Sequence, residues 1–100
     1  MKLSLCNEVP GEMPFPEQCA LAASLGYDGI ELAPFTLVDD PREMTAKQIA
    51  MVRQATADAG ITISGLHWLL LTPKGLFITT SNASVWRRSV DVMRDIIEIC

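Results

Sequence analysis

At 100 residues, of which 49% are hydrophobic, the chain can bury a core, and this excludes a disordered tail. Acidic residues outnumber basic ones and give a net charge of −4, so no overall positive field attracts a nucleic-acid partner. No apolar run has the length of a membrane span or signal peptide, and the three widely spaced cysteines are typical of reduced core thiols. We therefore expect a cytoplasmic protein with no membrane partner.

The first part of the chain predicts a strand, a helix and a second strand. The first strand, at about 2–7, runs into a loop rich in proline. Pro16 suits the first turn of a helix, which we expect at about 16–25. The second strand, at about 29–33, ends before Pro34, because a proline has no N–H to donate into a ladder.

The second part predicts a helix, a strand and a further helix. Thr45 and Gln48 have the spacing of a capping box, which places a helix at about 46–59. The third strand follows at about 61–68, and a long polar loop separates it from a helix at about 83–100. The inner stripe predicted for this last helix consists of Val85, Ser89, Val92, Met93, Ile96, Ile97 and Cys100.

A repeated unit of roughly 30 residues is visible in the two helix-to-strand passages, which both turn at a glycine, Gly26 and Gly60. Strands that alternate with helices return parallel to one another through crossover connections. Eight such units make the roughly 250 residues typical of a closed barrel. The fold class predicted is therefore α/β, a parallel (β/α)8 TIM barrel of which residues 1–100 hold about the first three βα units.

A small complete α/β domain with an open three-stranded parallel sheet is the alternative. The chain reaches Ile99 and Cys100 within the apolar stripe of a helix, with no cap, which favours further strand-helix units beyond Cys100. Three units alone would also leave two sheet edges uncovered. We therefore expect residues 1–100 by themselves to be catalytically inactive and to self-associate.

Candidate functional residues lie where the strands end, because the active site of a parallel barrel forms at the carboxyl ends of its strands. Asn7 and Glu8 follow the first strand, Glu31 lies in the second, and His67 and Trp68 end the third. His67 is the only histidine of the chain, and an imidazole at this position serves as a metal ligand, a proton carrier or a hydrogen-bond donor. The alternative for His67 is a structural histidine that hydrogen-bonds a neighbouring carbonyl.

Alternation along the second strand places Glu31 on the barrel side if Ile30 and Leu32 face the helices. Glu31 would there bind a polyol or a basic partner, or else be a buried structural carboxylate. Trp68 offers either an apolar wall for the carbon face of a sugar or simple core packing. The remaining acidic loop residues are more typical of solvated or turn positions, and this group comprises Glu8, Glu12, Asp39 and Asp40.

The sequence lacks the short motifs of several common classes of enzyme. The chain has no glycine-rich dinucleotide or Walker phosphate loop, no C-x-x-C, no G-x-S-x-G and no H-E-x-x-H. One histidine with scattered carboxylates does not predict a complete catalytic metal site, which needs about three protein ligands. Ligands for a catalytic metal are therefore expected beyond Cys100.

Two segments resemble a known family. Residues 25–32, LGYDGIEL, and residues 63–70, ISGLHWLL, with PKGL at 73–76, are similar to the sugar phosphate isomerase/epimerase group of xylose isomerase-like barrels. The resemblance implies a (β/α)8 barrel that isomerises or epimerises small sugars, sugar phosphates or hydroxy-keto acids. It implies Glu31, His67 and Trp68 as substrate-binding residues, with the catalytic carboxylates on later strands.

The resemblance also implies a cofactor, a divalent Mn²⁺, Mg²⁺, Co²⁺ or Zn²⁺ in the full-length protein, with none expected on residues 1–100 alone. In related deoxyribonucleases a histidine at the third strand binds zinc, so His67 is a candidate metal ligand. An abasic-site endonuclease-like phosphodiesterase is therefore the second functional hypothesis. The third is a non-catalytic member that binds a polyol or a protein.

Overall fold

A computed structural model describes residues 1–100 as three strands and three helices in strict alternation. Two short 3-10 turns, Pro34–Thr36 and Pro41–Glu43, lie between the second strand and the second helix. The regular elements are β1 (Ser4–Cys6), α1 (Phe15–Ser24), β2 (Gly29–Leu32), α2 (Ala46–Ala59), β3 (Thr62–Leu66) and α3 (Ala83–Ile99).

The strands form one parallel sheet in the order β1-β2-β3. Neighbouring parallel strands need a crossover, and α1 and α2 supply it. Strands β2 and β3 approach closely at Gly29, where a Cβ would lie 2.9 Å from the carbonyl oxygen of Thr62, so a side chain at this position would push the two strands apart. The α/β class is confirmed, and the three parallel βα units are consistent with part of a barrel.

The main core lies between the sheet and the first two helices. Ile30 and Leu32 of β2 pack with Phe15 and Cys19 of α1 and Val52 of α2. Glu31, between the two buried strand residues, lies on the opposite face, because successive side chains of a strand alternate. This orientation is the one that the alternation along the strand predicts.

Helix α2 begins and ends as its sequence predicts. The Thr45 hydroxyl accepts a hydrogen bond from the backbone N–H of Gln48, and the Gln48 side chain accepts one from the backbone N–H of Thr45. Gly60 follows in the left-handed region at φ +71°, a conformation that glycine adopts without steric cost. The capping box is confirmed.

The strands are shorter than the sequence predicts. The strand expected at about 2–7 covers Ser4–Cys6, and the strand expected at about 61–68 covers Thr62–Leu66. The third strand ends early because Trp68 has a φ of +56°, which turns the chain out of the extended conformation. A positive φ is uncommon for a bulky residue, and it directs the chain away from the sheet directly after His67.

The set of residues predicted to form the buried face of α3 is larger than the set that is buried. Ser89, Val92 and Ile96 are buried, and the last two pack against Leu76. Ile97 is 69% exposed because each helical residue is turned by roughly 100° from the one before it, which carries Ile97 away from the face of Ile96.

Asp40 closes the 3-10 turn that precedes α2. Its carboxylate accepts hydrogen bonds from the backbone N–H and the guanidinium of Arg42. The hydrogen bond from the Arg42 side chain lowers the pKa of the Asp40 carboxyl below its usual value. The stabilisation is therefore present above the pKa of the unfolded chain and is lost as the pH falls through the lower pKa of the folded state.

We expect Asp40→Ala to lower the free energy of unfolding by about 0.5–1 kcal/mol at neutral pH, with the pair partly screened by solvent. The difference from the parent protein should shrink when denaturant unfolding is repeated below the folded-state pKa, to what the neutral Asp40 side chain contributes as an acceptor for the Arg42 backbone N–H. Asp40→Asn is the matched control, since its amide oxygen still accepts the Arg42 backbone N–H while the charge is removed. A pH-independent loss in Asp40→Ala would contradict the ion-pair contribution.

Candidate functional site

The carboxyl ends of the three strands meet in one place. The backbone N–H of Asn7 donates to the carbonyl of Glu31 over 2.9 Å, and the backbone N–H of His67 donates to the carbonyl of Leu32 over 3.0 Å. These bonds continue the ladders beyond β1 and β3. They bring the segment after each outer strand beside the end of β2.

A bulge in β3 decides which way His67 faces. Ile63 pairs with Ile30, but the next residue of β2, Glu31, pairs with Gly65, so Ser64 is an extra residue. Without the extra residue, alternation would turn Leu66 to the open face of the sheet and His67 toward the helices. With it, Leu66 packs against the core and the His67 imidazole lies beside the Glu31 carboxylate.

Glu8 joins His67 and Trp68 from the loop after β1. One carboxylate oxygen, Oε2, lies 2.9 Å from Nε2 of His67, and the other accepts a hydrogen bond from the Trp68 indole N–H at 3.1 Å. A carboxylate only accepts hydrogen bonds, so Nε2 of a neutral His67 carries the proton and Nδ1 carries the lone pair. Glu8 thus fixes both the tautomer and the orientation of the imidazole.

The second ring nitrogen of His67 points into a group of three donor side chains, Cys6, Glu31 and His67, here called the donor triad. Their ligand atoms all lie within 4.8 Å of one another. Glu31 Oε2 accepts a hydrogen bond from the Cys6 thiol at 3.4 Å and lies 3.6 Å from His67 Nδ1. The second distance is too long for a hydrogen bond, and Nδ1 is buried without a partner.

The environment of Cys6 keeps its sulfur protonated. Burial raises the pKa of the Cys6 thiol, and the hydrogen bond to Glu31 and the negative charges of Glu31 and Glu8 raise it further. The side chains of Glu31 and His67 are 39% and 18% exposed. The donor triad therefore lies at the border between the sheet interior and solvent, where it can meet a small ligand.

Asn7 supports the loop that carries Glu8. Its side chain is fully buried, and its Oδ1 accepts a hydrogen bond from the backbone N–H of Ala33 at 2.7 Å. Its amide nitrogen donates to the hydroxyl of Thr36 at 2.7 Å and to the side chain of Gln18 at 3.3 Å. These bonds join the end of β1 to the segment after β2 and to α1.

The structure brings together the three side chains predicted to bind substrate: His67 and Trp68 both contact Glu8, and Glu31 lies beside His67. Trp68 is 57% exposed, so it is not a core residue. Sequence reasoning discounted Glu8 as a solvated loop acid, and nothing in its local sequence signals the partners that lie about sixty positions away.

The expectation of three core thiols is wrong for two of the cysteines. Cys19 is buried, but Cys6 is half-buried beside Glu31, and Cys100 is exposed. Cys6 and Glu31 are partners in the register of β1 and β2, and their side chains therefore share one face. The alternation along β1 could have signalled this, but only with the register known.

An apolar cleft of about 370 Å³ lies elsewhere, between the sheet, α2 and α3, with Val52, Ile63 and Ile96 among its lining residues. It is on the helix side of the sheet and carries no cluster of ionisable donors, so the donor triad is the candidate site. No helix combines the length and apolar character needed to cross a membrane.

Comparison with known proteins identifies the family. The profile of the xylose isomerase-like TIM barrel matches residues 19–100, which include Glu31 and His67 but not β1. Searches of curated proteins and of solved structures gave no match. The three parallel strands with their crossover helices agree with the first part of such a barrel. The chain therefore belongs to the xylose isomerase-like TIM barrel family.

Proposed function

We propose that the protein is a sugar or sugar-phosphate isomerase or epimerase, which moves a proton at the carbon next to the carbonyl of a small sugar or hydroxy-keto substrate. The family to which the chain belongs includes isomerases and epimerases. The observation that carries the proposal is the convergence of Glu8, Glu31, His67 and Trp68 at the carboxyl ends of the strands.

These side chains suit a polyhydroxylated ligand. A Glu31 carboxylate that is partly exposed can accept hydrogen bonds from adjacent hydroxyl groups. The exposed indole of Trp68, held through its N–H by Glu8, offers a flat apolar surface for the carbon face of a sugar ring. Such a mixed polar and aromatic wall fixes orientation while the ligand is bound.

A divalent metal belongs to this proposal, since the family resemblance implies one. The buried, unpartnered Nδ1 of His67 beside Glu31 fits the requirement of such an ion for an available lone pair. Glu31 and His67 would hold the ion. When bound, a divalent ion polarises a substrate carbonyl and makes the neighbouring C–H more acidic.

Residues 1–100 supply three of the eight strands of a barrel, so we propose that they form one wall of the pocket and are inactive alone. The roles of this chain are to bind and orient the substrate through Glu31 and Trp68 and to hold His67 through Glu8. The proton-moving carboxylate is proposed to come from a later strand.

The test is exchange of substrate hydrogen with solvent. The full-length protein, incubated in deuterated buffer with a panel of ketoses, sugar phosphates and hydroxy-keto acids, should incorporate deuterium next to the carbonyl of one class of substrate. Glu31→Gln removes the charge but keeps the shape, and we expect it to lower kcat/KM about tenfold, which corresponds to the loss of about 1.4 kcal/mol of transition-state stabilisation.

Glu12→Gln is the matched control, because Glu12 is an exposed carboxylate of the loop after β1 with no hydrogen bond or ion pair to Glu8, Glu31, His67 or Trp68. It should exchange deuterium at the parent rate. Exchange that survives unchanged in Glu31→Gln would contradict the role of Glu31. Cleavage of an abasic-site phosphodiester without any exchange on the sugar panel would contradict the isomerase proposal itself.

A further inference from the structure

We infer that Cys6, Glu31 and His67 form a binding site for a thiophilic divalent cation of the zinc class, with Glu8 as the outer residue that orients the histidine. This inference deepens the proposed function, because it names the ligands and the metal class of the same pocket. Its test reads metal binding directly, so it is decided separately from catalytic activity.

The first support is the spacing of the donor atoms. Zinc bonds of about 2.3 Å to sulfur and about 2.0–2.2 Å to nitrogen and oxygen place tetrahedral ligands about 3.4–3.6 Å from one another. The two separations measured from Glu31 Oε2 are 3.4 Å to Cys6 Sγ and 3.6 Å to His67 Nδ1. The donor triad therefore already has the dimensions of a site, and only the remaining sulfur-to-nitrogen edge, within 4.8 Å, needs to adjust.

The second support is the direction of the lone pairs. The Nε2 proton of His67 is directed at Glu8 over 2.9 Å, which leaves the Nδ1 lone pair facing the Glu31 carboxylate at 3.6 Å. Two acceptors that face each other repel unless a proton or a cation lies between them. Nδ1 is buried and has no hydrogen-bond partner, and a divalent cation bound between Nδ1 and Glu31 would satisfy both acceptors.

The third support is Glu8, which is not a ligand itself but holds the ring of the ligand His67. Histidines that bind metals nearly always donate their second ring N–H to a carboxylate or carbonyl, and this bond fixes the tautomer. Glu8 occupies that place, and its other oxygen is held by the Trp68 indole. Trp68 itself has an uncommon positive φ, so the residue that holds Glu8 is also one with an unusual backbone conformation.

The donor types select the metal. A thiolate favours zinc and cobalt over magnesium and manganese, which prefer oxygen ligands. On binding, the Cys6 S–H bond breaks, its proton passes to solvent, and the sulfur electron pair forms the bond to the metal. Thiolate and carboxylate together balance the two charges of the ion. Three protein ligands leave a fourth position open to water or a substrate oxygen, as in catalytic rather than structural zinc sites.

The experiment is a titration of the metal-free, reduced full-length protein with Co²⁺, followed by displacement with Zn²⁺. A thiolate-to-cobalt charge-transfer band in the near ultraviolet is expected in the parent protein. Cys6→Ser should remove the band and weaken zinc binding by at least roughly 100-fold, the upper end of the effect of outer residues. Glu8→Gln should keep the band and weaken binding by about 10–100-fold.

Cys100→Ser is the matched control, because Cys100 is an exposed thiol outside the donor triad. It should leave both the band and the affinity unchanged. The inference is overturned if the parent protein gives no band, or if Cys100→Ser removes the band and Cys6→Ser does not.

A second measurement reads the His67 ring directly, with its signals assigned by their loss in His67→Gln. In nitrogen NMR of the protein labelled at histidine, zinc should shift the Nδ1 signal of His67 while Nε2 remains protonated. Coordination through Nε2, or no change at either nitrogen, overturns the inference. Neither result bears on whether the protein exchanges substrate hydrogen, which remains the test of the proposed function.

Discussion

Replacing Ile30 by alanine is expected to lower the free energy of unfolding by about 2–5 kcal/mol. Ile30 is fully buried in β2, the middle strand, where it packs between the residues of α1 and α2. Truncation removes three carbon atoms from the core and leaves a cavity that strands paired on both sides cannot readily close. Denaturant unfolding followed by circular dichroism measures the loss.

Ile97→Ala is the matched control for this prediction, since it makes the same truncation at a side chain that is 69% exposed. Its effect should remain within about 0.5 kcal/mol. Equal losses in the two variants would contradict the placement of the main core between the sheet and the first two helices. A changed denaturant slope in Ile30→Ala would indicate a change in the compactness of a state rather than a cavity alone.

Asn7→Ala is expected to lower the free energy of unfolding by about 1–3 kcal/mol, because it leaves a buried backbone donor unsatisfied. The donor is the N–H of Ala33, whose acceptor at 2.7 Å is the Asn7 side chain. The variant also releases Thr36 and Gln18 from the end of β1. Thermal or denaturant unfolding measures the cost.

The same variant should disturb the imidazole of His67, although Asn7 does not touch it. Asn7 precedes Glu8, and a less firmly held loop loosens the bond between Glu8 and Nε2 of His67. A shift of the His67 ring signals in NMR reports this coupling. Thr36→Ala, which removes one of the partners of Asn7 but leaves the Ala33 bond, should cost less stability and shift the ring signals less. Unchanged ring signals in folded Asn7→Ala would contradict the positioning role.

The local elements follow from short-range patterns, and α2 is the clearest case. Thr45 and Gln48 cap its start and Gly60 its end, and all of these interactions lie within a few residues along the chain. The orientation of Glu31 follows equally from alternation with Ile30 and Leu32. In contrast, whether the Ile97 side chain is buried or exposed depends on which side of α3 the rest of the molecule covers.

The candidate site was predicted in part. Glu31, His67 and Trp68 could be selected because a parallel sheet places its strand ends together, and residue type then indicates the chemistry. The same rule also places Glu8 at a strand end, but residue type alone favours a solvated loop acid there, and Cys6 was expected in the core. Their partners in the cluster lie on other strands, and no periodicity within β1 or its loop encodes a hydrogen bond to His67.

The sequence by itself determined the order of strands and helices, the capping of α2 and the face of β2 that carries Glu31, since each depends on contacts between near neighbours in the chain. Only the tertiary structure brought the three side chains of the donor triad together on one face of the sheet. The extra residue Ser64 in β3 turns His67 to the face of Glu31, and the register of β1 with β2 adds Cys6 to that face. A shift of one residue in strand pairing reverses every side chain, so these contacts exist only once the three strands are aligned.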